Sequence, residues 1–86
     1  MVEIKEKILK PFEKLKISAD CILYKVKRDE IEFIVFVDSN LISKELIQDI
    51  YEIEGDTDIF IRLQRAELNM SNPSTFIFIF EVKDSC

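Results

Sequence analysis

Residues 76–82 read Phe76-Ile77-Phe78-Ile79-Phe80-Glu81-Val82, the densest run of aromatic and β-branched side chains in the chain. Such residues pack well on a pleated surface and lose rotamer freedom in a helix, so the run predicts a strand. Strand side chains alternate, which puts Phe76, Phe78, Phe80 and Val82 on one face and Ile77, Ile79 and Glu81 on the other. Both faces of the first five residues are therefore apolar and need cover. A small antiparallel sheet normally carries helices on one face only. The second face is left for other elements of this chain or for another chain.

Working back from this strand, Ser71-Asn72-Pro73-Ser74 has the composition of a turn. Before it, Ile59, Ile61 and Leu63 alternate with Phe60, Arg62 and Gln64, after which Ala66, Leu68 and Met70 continue the pattern shifted by one residue. A β-bulge near Arg65 joins the two halves into one bent strand; the alternative is a short strand followed by a helical turn over 65–70. Upstream, Ser43 stands as a helix N-cap between Ile42 and Ile47 in the hydrophobic-staple relation, with Glu45 in the first turn. The helix predicted from there buries Leu46, Ile47, Ile50 and Ile53, runs to about Glu54 and ends at Gly55, the chain's one glycine.

The first half supplies a hairpin and another helix. Ile31, Phe33, Val35 and Val37 alternate with Glu32, Ile34, Phe36 and Asp38 in one strand. In the strand before it, Cys21, Leu23, Lys25 and Lys27 alternate with Ile22, Tyr24, Val26 and Arg28, and the second set, except Arg28, is the expected inner face. Asp29-Glu30 is the turn between them. Residues 3–16 place Ile4, Ile8, Leu9, Phe12 and Leu15 on one helical stripe. Pro11 lacks an N–H and clashes with the carbonyl of Lys7, so a kink or a break is expected there.

The predicted order, α-β-β-α-β-β, makes residues 1–86 a single α+β domain. It is a two-layer sandwich of a four-stranded antiparallel sheet with two helices on one face. The order resembles a circularly permuted ferredoxin-like domain whose first strand has moved to the end. That resemblance implies an interior position for residues 76–82, and as a fold analogy it implies no activity.

Composition narrows the function. The chain has no histidine, which excludes Ser-His, Cys-His and imidazole-metal sites within it. One glycine excludes phosphate-cradling loops, which need several. Cys21 and Cys86 form no CxxC pair. The apolar stretches are far shorter than the roughly 20 residues of a membrane span, and residues 1–17 lack a signal-peptide core, so a cytoplasmic chain is expected.

The net charge of -5 is unevenly laid out. Residues 1–28 hold eight Lys/Arg against four Asp/Glu, and residues 29–61 hold Lys44 against ten acids. Nucleic-acid binding would draw on Lys5, Lys7, Lys10, Lys14, Lys16, Lys25, Lys27 and Arg28, and the acidic whole makes it an unfavoured alternative. A second alternative, a metal-dependent nuclease-like enzyme, would draw on Glu54, Asp56, Asp58, Glu81 and Lys83, without any recognisable ligand spacing.

The preferred expectation is a non-enzymatic protein-interaction or dimerisation module with no cofactor or metal, its partner most readily a second copy. Its contact residues are drawn from Ile34 and Phe36 and from either the Ile77/Ile79 or the Phe76/Phe78/Phe80 set of the last strand. A homodimer joined through the apolar sheet face is the form this takes.

Overall fold

The computed structural model describes residues 2–25, 31–53 and 59–84. Helix α1 (Val2–Lys14) is followed by strands β1 (Ala19–Lys25) and β2 (Ile31–Asp38). Helix α2 (Lys44–Tyr51) then leads to β3 (Ile59–Leu68) and β4 (Thr75–Asp84). Every neighbouring strand pair is antiparallel, in the spatial order β1-β2-β4-β3. The expected α+β two-layer arrangement is therefore the observed one. The Phe-Ile run lies inside the sheet, between β2 and β3, where the permuted order places it.

Helix α1 is continuous through Pro11, so of the kink or break expected there the break is not seen. Proline costs most where it removes a hydrogen bond from a helix interior. Here it lies three residues before the helix end, its own carbonyl still accepts from the Leu15 N–H at 3.3 Å, and its buried ring faces the groove between the two helices. The helix is closed by Lys16, whose φ of 58° is left-handed. Lys16 N–H donates to the Glu13 carbonyl at 3.0 Å and Ile17 N–H to that of Phe12 at 2.8 Å, the paired bonds of a Schellman end.

Helix α2 starts as its sequence predicts, with the Ser43 hydroxyl accepting from the Leu46 N–H at 3.1 Å. It stops at Tyr51, three residues earlier than expected. Glu52 N–H turns back to the Asp49 and Gln48 carbonyls and Ile53 N–H to Ile50, each at 3.2 Å. Asp49 and Glu52 sit at the negative end of the helix dipole, which disfavours further acidic residues in helical register. The expected stop at Gly55 lies outside the described residues, as does the Asp29-Glu30 turn.

The core lies between the helices and one sheet face. Ile4, Ile8 and Phe12 of α1 and Leu46 and Ile50 of α2 pack on Phe33, Val35 and Val37 of β2, Phe78, Phe80 and Val82 of β4, and Ile61 of β3. Phe12 meets Phe78 edge-on at 5.8 Å, the geometry aromatic quadrupoles favour. β3 holds one long strand with a register shift between Leu63 and Arg65, so the bulge reading is right and the helical turn over 65–70 is not. The extra residue, Gln64, moves the inward positions from Ile61 and Leu63 to Ala66 and Leu68.

The inner face of β1 is the reverse of the expected one. Its partners fix this: Ala19, Cys21 and Leu23 stand opposite Val37, Val35 and Phe33, which face the helices. Ile22 therefore points away from them. Both sets of this strand contain apolar residues, so alternation alone left its face undetermined. The hairpin register with the strongly patterned β2 decides it. Val26 and Arg28 lie outside the described residues.

Candidate functional site

No described element lies over the second face of the sheet. The ladder sets out its rows. Ile22, Ile34 and Ile79 are direct cross-strand partners on β1, β2 and β4, and Arg65 of β3 ends that row. The adjacent row runs Asp20, Phe36, Ile77, Glu67, and the row on the other side brings Glu32, Glu81 and Arg62 side by side. An isoleucine ridge, widened by Phe36 and Ile77, thus crosses the middle of the helix-free face between charged borders.

Within the ridge, burial varies. Ile34, Phe36 and Ile77 are half-buried and Ile22 is 53% exposed. Ile79 is only 5% exposed although it belongs to no part of the helix-side core. It is the centre of the face, flanked by Ile34 and Arg65 across the strands and by Ile77 and Glu81 along its own. Of the expected contact residues, Ile34, Phe36, Ile77 and Ile79 are brought together here. Phe76, Phe78 and Phe80 are not: Phe78 and Phe80 are fully buried under the helices and Phe76 packs beside them, its ring 5.1 Å from that of Phe78. The choice between the two sets of the last strand thus falls to the isoleucines, because α1 and α2 cover the phenylalanine face.

The charged border is internally paired. Glu81 accepts from Arg62 Nε at 3.1 Å and lies 3.1 Å from Lys83 Nζ, while Arg65 and Glu67 approach to 3.5 Å. The hydrogen bond from Lys83, opposed by partial desolvation and assisted by Arg62, holds the Glu81 carboxyl below the usual range. A carboxylate engaged by two cations is an unsuitable metal ligand. Among the described residues no group of three His, Cys, Asp or Glu side chains is placed to hold a metal. Glu54, Asp56 and Asp58 of the nuclease-like alternative lie outside the described residues.

The basic residues divide as well. Lys7, Lys10 and Lys14 border an inter-helix groove of about 410 Å³ floored by Pro11 and Ile53, but Asp49 and Glu52 form its other wall. Lys14 pairs with Asp49 at 3.3 Å. A phosphate backbone laid there would meet both signs, which removes the clustering that counterion release requires. Lys5 and Lys16 are exposed outside this groove, and the side chains of Lys25, Lys27 and Arg28 lie outside the described set. The Cys21 thiol is half-buried on the helix side, and burial pushes its pKa up, so it is a poor nucleophile.

No described helix is long and apolar enough to cross a membrane. Comparison of the chain with family models, with curated proteins and with solved structures gives no match. What the geometry defines is a small α+β domain, lacking catalytic or metal-binding clusters among its described residues, with one sheet face outside its helix layer.

Proposed function

We propose that this chain is a non-enzymatic protein-interaction module of the cytoplasm that binds through its sheet, with a second copy of itself as its first partner. The observation that carries the reading is the Ile22–Ile34–Ile79 row with Phe36 and Ile77 beside it, apolar side chains on a face that α1 and α2 do not reach. Apolar surface of this kind, rimmed by charge, is the usual mark of a protein contact. Removing about 300 Å² of it from water on each partner, about 600 Å² in all, contributes a gross 15 kcal/mol or so, of the order needed to offset the entropy of association.

The charge pattern supports a protein partner over a nucleic acid. On the helix-free face, Asp20 and Glu32 stand on the β1–β2 side, while Arg62, Arg65 and Lys83 stand with Glu67 and Glu81 on the β4–β3 side. The first half is acidic and the second mixed in sign, with its cations paired to Glu81 and Glu67, so neither presents the cation cluster that phosphates need. Sedimentation equilibrium of the whole chain from about 5 to 100 μM tests the reading. A dimer forming within that range is the expected result; a monomer throughout would overturn it.

A further inference from the structure

The two edges of the sheet are built differently. β3 interrupts its ladder with the bulge at Gln64 and exposes Arg62, Arg65 and Glu67. Bulges and charges are the means by which natural sheets discourage an added strand. β1 has neither device in its middle. Ala19–Lys25 pairs with β2 without a shift, and its charged residues, Asp20 and Lys25, sit towards opposite ends. Between them Ile22 and Leu23 are 53% and 50% exposed on opposite faces. No described strand pairs with the outer side of β1, so about half of its N–H and C=O groups have no ladder partner.

We infer that β1 is where two copies of this chain join: β1 of a second copy lies antiparallel beside it, about a two-fold axis through Ile22, and the two sheets become one of eight strands. This rests on the homodimer reading above for the association of two copies and departs from it on the surface: the copies meet at their β1 edges, and the isoleucine face stays uncovered. The orientation follows from charge. A parallel arrangement in register sets Asp20 beside Asp20 and Lys25 beside Lys25 of the copy; the antiparallel one brings the acidic end of each strand to the basic end of the other.

The register follows from the isoleucine row and side-chain parity. Residues opposite each other in an antiparallel pair share a face, and Ile22 is the exposed outer member of the isoleucine row that the two copies would share. Centring the axis there pairs the whole strand, with Ala19 opposite Lys25, Asp20 opposite Tyr24, and Cys21 opposite Leu23 of the copy. The exposed apolar surface of Leu23 then meets the copy's Cys21 on the helix side. On the other side, Ile79, Ile34 and Ile22 run straight into Ile22, Ile34 and Ile79 of the second copy. The isoleucine ridge becomes continuous across the dimer and the helix-free face doubles in width, open to a further partner.

Cysteine cross-linking separates this arrangement from its competitors. In a chain carrying Cys21→Ala and Cys86→Ala, a single Ile22→Cys places two thiols across the axis with Cα atoms about 5 Å apart, within disulfide reach. Mild oxidation is expected to convert most of that variant to a covalent dimer. Ile34→Cys in the same background is expected to stay uncross-linked, since its copies lie three strand spacings apart, about 14 Å. Leu23→Lys, at a half-exposed edge position away from the helix-free face, is expected to weaken the dimer at least tenfold while leaving unchanged the circular dichroism, and the melting measured where the chain is monomeric.

If the wild-type chain dimerises but Ile22→Cys fails to cross-link, or Ile34→Cys cross-links instead, the edge arrangement is wrong and a face-to-face dimer replaces it. If the wild-type chain is monomeric at 100 μM, the homodimer reading itself has failed.

Discussion

The two faces of β4 are made from the same kinds of residue and meet different fates. Phe78 and Phe80 vanish beneath α1 and α2, while Ile77, one residue away, is half-buried on a face no helix reaches. Hydrophobicity alone therefore does not say which side of a strand is core. The helices do, and the two α-helices among the described residues both lie on the phenylalanine side. The remaining apolar face is then informative because its presence is not explained by the fold's own packing.

The largest effect expected from this contrast comes from substituting neighbours. Phe78→Ala removes a ring wedged against Phe12 and Phe76 and should cost about 3–5 kcal/mol, as large core truncations do. Ile77→Ala should cost less, about 1–2 kcal/mol in the monomer, since Ile77 is only partly buried and no helix packs on its face. Urea unfolding at low protein concentration, where any dimer is dissociated, measures both. Equal costs would mean that the isoleucine face is packed as tightly as the core.

A smaller effect distinguishes the faces by their charges. The polar row of the helix-free face is anchored on Glu81, whose carboxyl is held below its unfolded value by Lys83 and Arg62. A lowered folded pKa contributes stability that is fully present above the unfolded value, about 4.3, and is lost as pH falls through the folded one. Melting of the wild-type chain and of Glu81→Gln between pH 7 and pH 2 should show an advantage for the wild type that fades across that window. An advantage constant with pH would remove the carboxylate from the account. Solvent at the exposed arginine and lysine keeps the effect modest.

Much of the fold was legible where one pattern dominated. Ser43 with its flanking isoleucines located the start of α2, the one-residue shift after Leu63 located the bulge, and the unbroken Phe-Ile run located the interior strand. Patterns failed where two readings were equally apolar or where a short-range rule met tertiary packing. β1 carries hydrophobic residues on both sides, so only its register with β2 shows that Cys21 and Leu23 face the helices. Pro11 stays within α1 although its missing N–H alone suggested a break.

The site was half legible for the same reason. Ile34, Phe36, Ile77 and Ile79 follow from alternation, but the exclusion of Phe76, Phe78 and Phe80 required knowing which side the helices take. Ile22 and the open edge of β1 were missed, since an edge is a property of strand order rather than of any one strand. The signal that was available is the absence of mid-strand charge in Ala19–Lys25, beside its abundance in Ile59–Leu68.

The central claim, that the sheet and its β1 side carry the protein contact, is tested most directly by amide hydrogen exchange, resolved by residue, at about 5 and about 200 μM chain. The account predicts that β1 amides pointing out of the sheet exchange about two- to fivefold more slowly at the higher concentration, as the free-monomer fraction falls, while those on the outer edge of β3 keep one rate. Exchange in β1 that is as fast at 200 μM as at 5 μM would contradict it.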